Sequence, residues 1–340
     1  MKTQRVEKFS CPELETQLSF QGLDSWSDFV NEVYDYKIHR FTATEGDETL
    51  AALALVEVKH PIFGHYMLTA PFGSYGGFAF KSTAARDMLL DEARHLAEET
   101  KVEYAAIRFD EGESSPPAGW VQHPAYFTYL IDLPATPDEM LKKFSSDHRN
   151  HVRKSLKKGF SIRFGHLDLL DDAYESLALS MHELGSPYHT KEYLRSMAIH
   201  LGDTLEFAVL YDPQGRIAGG GVFVYQGDTI FNLHANILRY VRSNYAGEFL
   251  YWSVIERAIQ KGLKTFDLGR SLVGSGNEVF KLKWAPRKKL LAYWHWLAPG
   301  HPLPVINQKN PKFAIAIAVW KKLPAFIVRP LGPYLVRGIA

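Results

Sequence analysis

Apolar and polar positions along the 340-residue chain run through one order of elements twice. In the first round Phe29, Val33 and Tyr36 share one face of an amphipathic stretch, Trp26–Tyr36, which predicts a helix. Arg40–Thr44, Leu50–Val58 and Tyr66–Ala70 follow, rich in β-branched and aromatic residues, and read as strands. Glu45-Gly46-Asp47 turns the chain between the first two. Met88, Leu89, Ala93 and Leu96 then recur at helical spacing over 83–99, with Ser82 and Thr83 placed to cap that helix. Val102–Phe109 is a short buried strand. In the second round Leu205–Tyr211, Ile217–Tyr225 and Thr229–Ala235 read as a meander. Its turns are Asp212-Pro213-Gln214-Gly215, with Pro and Gly where a type I turn favours them, and Gln226-Gly227-Asp228. A helix over Tyr245–Lys261 carries Phe249, Trp252, Ile255 and Ile259 on one side and closes at Gly262. Lys264–Leu268 is again a short strand. Strand, strand, strand, helix, strand therefore occurs twice, which predicts an α/β protein with mixed sheets in two related domains, although any α+β protein with two meanders fits the same order.

Glu111-Gly112-Glu113-Ser114-Ser115-Pro116-Pro117 is polar and Pro-rich, so the boundary falls near 110–125, and Phe127–Leu133 reads as a strand entering the second half. The expected division is 1–120, 121–300 and a tail, 301–340. The tail is apolar, studded with Lys and Arg and broken by Pro324, Pro330 and Pro333, which predicts two short docked helices. Residues 145–159 form a basic helix with cap-type residues in front and Gly159 behind.

Composition narrows the function classes. A hydrophobic fraction of 46% and a charged fraction of 23% are those of a globular protein. A net charge of +1 predicts no DNA partner, so any polyanion site must be local. One cysteine, Cys11, excludes an intramolecular disulfide and a Cys-rich metal site. Met1–Lys8 lacks the apolar core of a secretion signal, and no apolar run nears the roughly 20 residues of a membrane span. The expectation is a cytoplasmic protein.

Candidate chemistry is concentrated in the second half. No Gly-x-Ser-x-Gly motif is present, and Cys11 has no local histidine. His148 and His151 stand three apart on the basic helix without a neighbouring carboxylate at ligand spacing, so no metal is expected there. Arg149, Arg153 and Lys157 fall on one face of that helix beside the apolar Val152 and Leu156. Such a face suits phosphate groups, because guanidinium offers paired donors, although an ordinary solvated face fits the same pattern. Further on, Phe266–Ser271 ends a buried strand in Gly269-Arg270-Ser271, at the sheet edge where α/β ligands gather. Gly274 and Gly276 offer backbone N–H groups to an anion. Lys281 and Lys283 alternate with Phe280, Leu282 and Trp284, so one lysine is expected to face a cavity. An ammonium there suits a developing oxyanion.

Together these stretches resemble a known group. Phe266–Ser271, Phe280-Lys281 with Trp284 close behind, the basic helix ending in Lys157-Lys158-Gly159, and Pro71-Phe72-Gly73-Ser74-Tyr75-Gly76-Gly77 resemble Fem-like proteins, relatives of the peptidoglycan-bridge aminoacyltransferases. Asn310-Pro311-Lys312, Trp320-Lys321-Lys322-Leu323-Pro324 and Leu331-Gly332-Pro333 resemble the tail of the FemAB-like branch associated with exosortase and PEP-CTERM systems. The resemblance implies two tandem GNAT-like domains, a C-terminal helical tail and transfer of an acyl or aminoacyl group to an amine. It implies Phe280 and Lys281 at the reaction centre and Arg149, Arg153 and Arg270 against substrate phosphates. Tyr188 and Tyr240 would supply hydroxyls and Tyr75 would line the cleft, though tyrosine is more often core.

Two departures qualify that transfer. The charged helical hairpin that some bridge enzymes insert has no counterpart here, and Arg239–Gly247, where a Gly-rich pyrophosphate loop would stand, holds one glycine. Aminoacyl-tRNA and acyl-CoA both remain open as donors, with Arg239 and Arg242 available for phosphates and no permanently bound cofactor expected. The acceptor is a small molecule or lipid-linked, of cell-envelope or exopolysaccharide type. The apolar, basic tail allows peripheral contact at the inner face of a membrane. Two other readings stand beside this one: a CoA-dependent N-acetyltransferase, and a non-catalytic module binding a sugar-phosphate or lipid-linked ligand.

Overall fold

The computed structural model describes the whole chain except residues 16, 110–114, 124–125 and 305–310, and the side chains of 15, 109 and 311–314. Glu111–Ser114 of the expected linker and Asn310 of the tail motif therefore lie outside the described residues. In chain order the elements are β1 (Lys2–Val6), α1 (Pro12–Glu15), α2 (Asp24–Tyr34), β2 (Lys37–Glu45), β3 (Glu48–His60), β4 (Gly64–Leu68), β5 (Phe78–Phe80), α3 (Thr83–Thr100), β6 (Tyr104–Phe109) and β7 (Val121–Gln122). They continue with β8 (Tyr126–Asp132), α4 (Pro137–Lys143), α5 (Ser146–Ser155), β9 (Ser161–Gly165), α6 (Leu170–Leu184), α7 (Lys191–Leu201), β10 (Leu205–Tyr211), β11 (Ile217–Gln226) and β12 (Thr229–Ile237). The last are α8 (Ala246–Gln260), β13 (Thr265–Ser271), α9 (Gly276–Leu282), β14 (Arg287–Leu297), α10 (Pro311–Trp320) and α11 (Ala325–Val336).

Two compact units result. The first holds Met1–Tyr126, Leu290–Asn307 and Leu335–Ala340; the second holds Phe127–Lys289 and Gln308–Tyr334. A linear division at 120 and 300 does not contain this return of the chain after Lys289.

In the first unit the strand order is β1-β2-β3-β4-β6-β14, with β5 on β3 and β7 on β14. Every pairing is antiparallel except β4 with β6. Ser82 caps α3 by accepting the N–H of Ala85 at 3.2 Å. The apolar stripe of α3, Leu89, Ala93 and Leu96, is buried in one core with Phe41, Leu53, Leu55 and Trp294. The final residues dock on the same unit: Tyr66 Oη donates to the Gly338 carbonyl at 3.0 Å and accepts from the Ala340 N–H at 3.1 Å.

In the second unit the order is β8-β13-β12-β11-β10-β9, with β12 and β13 the parallel pair. The apolar side of α8 packs Leu250, Trp252, Ile255 and Ile259 with Tyr129, Ile131, Phe266 and Trp284. Gly220 on β11 has a packing reason. A Cβ there would stand 2.9 Å from the Ala208 carbonyl and 3.0 Å from Ser176 Oγ, so its absence lets α6 lie close on β11. The repeat read from the sequence is present in both units, and in each the helix joins the two parallel strands, β4-α3-β6 and β12-α8-β13.

Candidate functional site

The site is built in the second unit where β13 breaks register. Opposite β8, Asp267 pairs with Leu130 but Arg270 pairs with Thr128, so β13 carries one extra residue. Gly269 takes φ +74° at this bulge, a conformation that glycine adopts without strain. Its N–H donates to Asp267 Oδ1 at 2.7 Å, and Thr128 Oγ1 donates to the same oxygen. The bulge leaves the carbonyls of Gly269 and Arg270 accepting from Lys281 Nζ, at 2.8 and 3.0 Å.

Lys281 reaches them from α9. Ser275 caps this helix by accepting the Glu278 N–H at 3.2 Å, and Glu278 reaches back to the Gly274 N–H, a close variant of the capping box. Glu278 also accepts from Tyr129 Oη at 2.6 Å and Lys288 Nζ at 2.8 Å. The Lys288, Tyr129 and Gly274 hydrogen bonds hold its carboxyl down to about 2, so it is ionised at every physiological pH. The Gly274 N–H, expected to meet an anion, is therefore committed to Glu278. Of the two lysines expected to include one facing inward, Lys281 is buried, at 7% exposure, and Lys283 is exposed. Burial is the main reason the Lys281 ammonium is pushed down to about 8; Asp267 opposes the shift and Arg270 adds to it. An ammonium has three N–H donors. Two are spent on the carbonyls, and the third has no hydrogen-bond partner among the described residues. Phe280, half-buried, sets its ring edge-on to Tyr251 at 5.1 Å.

The other expected residues are dispersed. Arg270 is exposed and contributes its carbonyl to Lys281. Arg149 and Arg153 lie on α5 and carry no ion pair among the described residues, as a cationic face requires. The helix ends at Ser155, so Lys157 sits in the following turn and Leu156 is 48% exposed rather than part of an apolar stripe. Tyr188 is buried in a cavity of about 20 Å³ lined by Tyr174, His182, His189, Trp320 and Arg329, none of them from β13 or α9. Tyr240 Oη donates to Asp212 Oδ2 at 3.1 Å and the Ile217 carbonyl at 2.9 Å, which clamps the β10–β11 turn. Tyr75 is buried in the first unit, its carbonyl accepting from Ser19 Oγ at 2.7 Å. Arg239 and Arg242 have exposed side chains near the end of α6. Glu183 accepts the backbone N–H of Arg239 at 2.8 Å, and Arg242 Nε donates to the Ile237 carbonyl at 3.0 Å. Sequence reasoning missed the Glu278–Tyr129–Lys288 network, although Ser275-Gly276-Asn277-Glu278 carries the spacing of a capping box.

Residues 142–282 match the family model described as an acetyltransferase (GNAT) domain. No curated protein matches the sequence. Among solved structures, FemX shares 13% identity at a TM-score of 0.65, covering 88% of this chain and 98% of its own. A tandem GNAT protein from the clavulanic acid biosynthesis pathway shares 13% at 0.54, covering 89% and 100%. L-PGS from Bacillus licheniformis shares 12% at 0.52, covering 87% and 92%. Lys281 and its bulge thus lie within the residues that match the acetyltransferase (GNAT) domain model, in a chain whose fold is similar to that of FemX and the tandem GNAT protein.

Proposed function

We propose that this chain is an N-acyltransferase that moves an acyl or aminoacyl group from an activated ester or thioester to a primary amine. The observation that supports it most is the buried Lys281 ammonium, anchored through two N–H groups and holding one in reserve. In this reading the amine attacks the donor carbonyl and its oxygen becomes an oxyanion. The third N–H of Lys281 stabilises that charge, a role best filled by a fixed donor in a desolvated site. Collapse breaks the bond to the alcohol or thiol, and the proton lost by the amine passes to water or a substrate phosphate. Arg149, Arg153 and Arg270 supply positive charge for phosphates on donor or acceptor. The finer part of the proposal, a FemAB-like protein of the exosortase-associated branch acting on a cell-envelope or exopolysaccharide acceptor, rests on the motifs around Phe280-Lys281 and in the tail. GNAT domains generally take acyl-CoA, and the exposed Arg239 and Arg242 side chains are compatible with phosphates of that donor or of an aminoacyl-tRNA. Incubation with acetyl-CoA or aminoacyl-tRNA and an amine acceptor, read by mass spectrometry, tests both; ligand binding with no product from either donor would leave the non-catalytic module.

The charge on Lys281 gives a pH signature. The ammonium is the active form, so turnover should fall as pH rises through about 8. Asp267→Asn removes the charge that supports the ammonium and should move this limb to lower pH. A limb that stayed in place in that variant would remove Lys281 from its role. Stability follows the same group. Its proton is held less tightly in the native state than in an unfolded chain at about 10.5, so this group's contribution to stability should rise between about pH 8 and 10.5 and then level off.

The tail bears on the acceptor. No helix among the described residues is long and apolar enough to cross a membrane. Ile315 on α10 and Phe326 on α11 are nonetheless 78% and 76% exposed, with Lys321 and Lys322 exposed between them. Apolar groups beside cations suit peripheral binding to an anionic bilayer and hence a lipid-linked acceptor. Flotation with anionic vesicles should recover the protein, and Phe326→Ser should reduce recovery several-fold. Equal recovery with uncharged vesicles would argue against the charge-assisted contact.

A further inference from the structure

A second cluster, independent of the acyl-transfer reading, sits where α5 packs on α8. His148 and His151 stand three apart on α5 and so share a face. Glu248 lies in the first turn of α8. One ligand-capable atom from each of the three lies within 4.8 Å of the others. His148 is 2% exposed, yet among the described residues neither of its ring nitrogens has a hydrogen-bond partner, and Nδ1 of His151 is likewise buried without one. Buried polar atoms are nearly always partnered, so orphaned nitrogens on two neighbouring imidazoles need a reason, and one ion would take a nitrogen from each ring.

We propose that His148, His151 and Glu248 bind a divalent transition-metal ion of the zinc class, with a fourth position left to water. Two imidazoles and one carboxylate form a donor set that zinc favours. Bonds of about 2.0–2.1 Å place tetrahedral ligands about 3.4 Å apart, so no gap need close by more than about 1.4 Å, within the reach of side-chain rotation. The surroundings fit as well. Trp284 and Phe144 set their rings edge-on to His148 at 4.5 and 5.1 Å, and Tyr245 lies against His151 at 4.9 Å, which gives the site an apolar wall. Asp147 stands 3.5 Å from His151 Nε2, the place of a carboxylate that orients a ligating imidazole while Nδ1 meets the ion. One group opposes it: Lys283 Nζ is 4.0 Å from Glu248 and competes for the carboxylate, but its exposed side chain can swing into solvent. A bound ion would tie the basic helix that carries Arg149 and Arg153 to the start of α8.

Titration of the purified full chain with Co²⁺, followed by calorimetry and visible absorption, tests the site. One equivalent should bind with the intense d–d bands of a four-coordinate ion. His151→Ala and Glu248→Gln should each weaken binding at least tenfold with unchanged circular dichroism, and Lys283→Met should tighten it. These variants carry the test because His148 is buried and its replacement also disturbs packing. Absence of the bands at one equivalent would overturn the proposal. So would binding that both variants leave intact, since the metal would then sit elsewhere among the chain's 14 histidines.

Discussion

Lys281→Ala is expected to lower turnover on the order of a hundredfold while the chain still folds. The loss is confined to turnover because the group meets charge that exists only after the amine has attacked; KM should move little beside kcat. Folding survives because the substitution removes a buried cation whose desolvation opposes the native state, and water can fill the space beside the Gly269 and Arg270 carbonyls. Lys281→Met, which keeps the packing and discards the charge, should match alanine. Lys281→Arg keeps a charge without the compact three-donor geometry and should recover only part of the rate. A methionine variant with wild-type kcat would refute the oxyanion role, whatever alanine does.

Trp284→Ala is expected to cost about 3–5 kcal/mol of stability. The indole is fully buried in the second unit, where it stacks on Tyr251 at 5.7 Å and meets Phe144, His148 and Phe280. Its removal opens a cavity that these rings cannot all collapse into. The same ring backs Phe280, so activity should fall before unfolding begins. Leu282→Ala, two positions earlier and 43% exposed, is the control and should stay within about 0.5 kcal/mol. Urea midpoints compare the two. A loss at Trp284 no larger than at Leu282 would show that the indole does not organise this core.

The repeated order of elements is legible because each segment satisfies a local rule. The pattern over Leu205–Tyr211 has the bounds of β10, and Ser82 caps α3 as its position implies. The exit of the chain from the second unit at β14 is not legible, since pairing of Ala292 with Phe109 depends on residues far apart in sequence. At the site, alternation narrows the inward-facing cation to Lys281 or Lys283 and goes no further. The choice follows from α9 being a helix, which the capping pair Ser275 and Glu278 sets. Tyr240 and Tyr188 show the limit of composition. A tyrosine at a turn and a tyrosine under a tail read alike, and only coordinates separate a clamp from a cavity wall. Glu248 is invisible beside His148 for the same reason as β14.

Because Leu290–Asn307 and Leu335–Ala340 complete the first unit, the whole of Phe127–Lys289 is inserted within it. On a ribosome, β8 through α9 are made while β6 still lacks the neighbour that Ala292–Leu297 will provide, and the first unit is completed only by Leu335–Ala340, after the Gln308–Tyr334 segment of the second. The strands made first thus finish last, and their bare edge is open to wrong partners throughout that interval. A released chain truncated after Lys289 should accordingly leave Met1–Tyr126 more readily digested by protease than it is in the full chain.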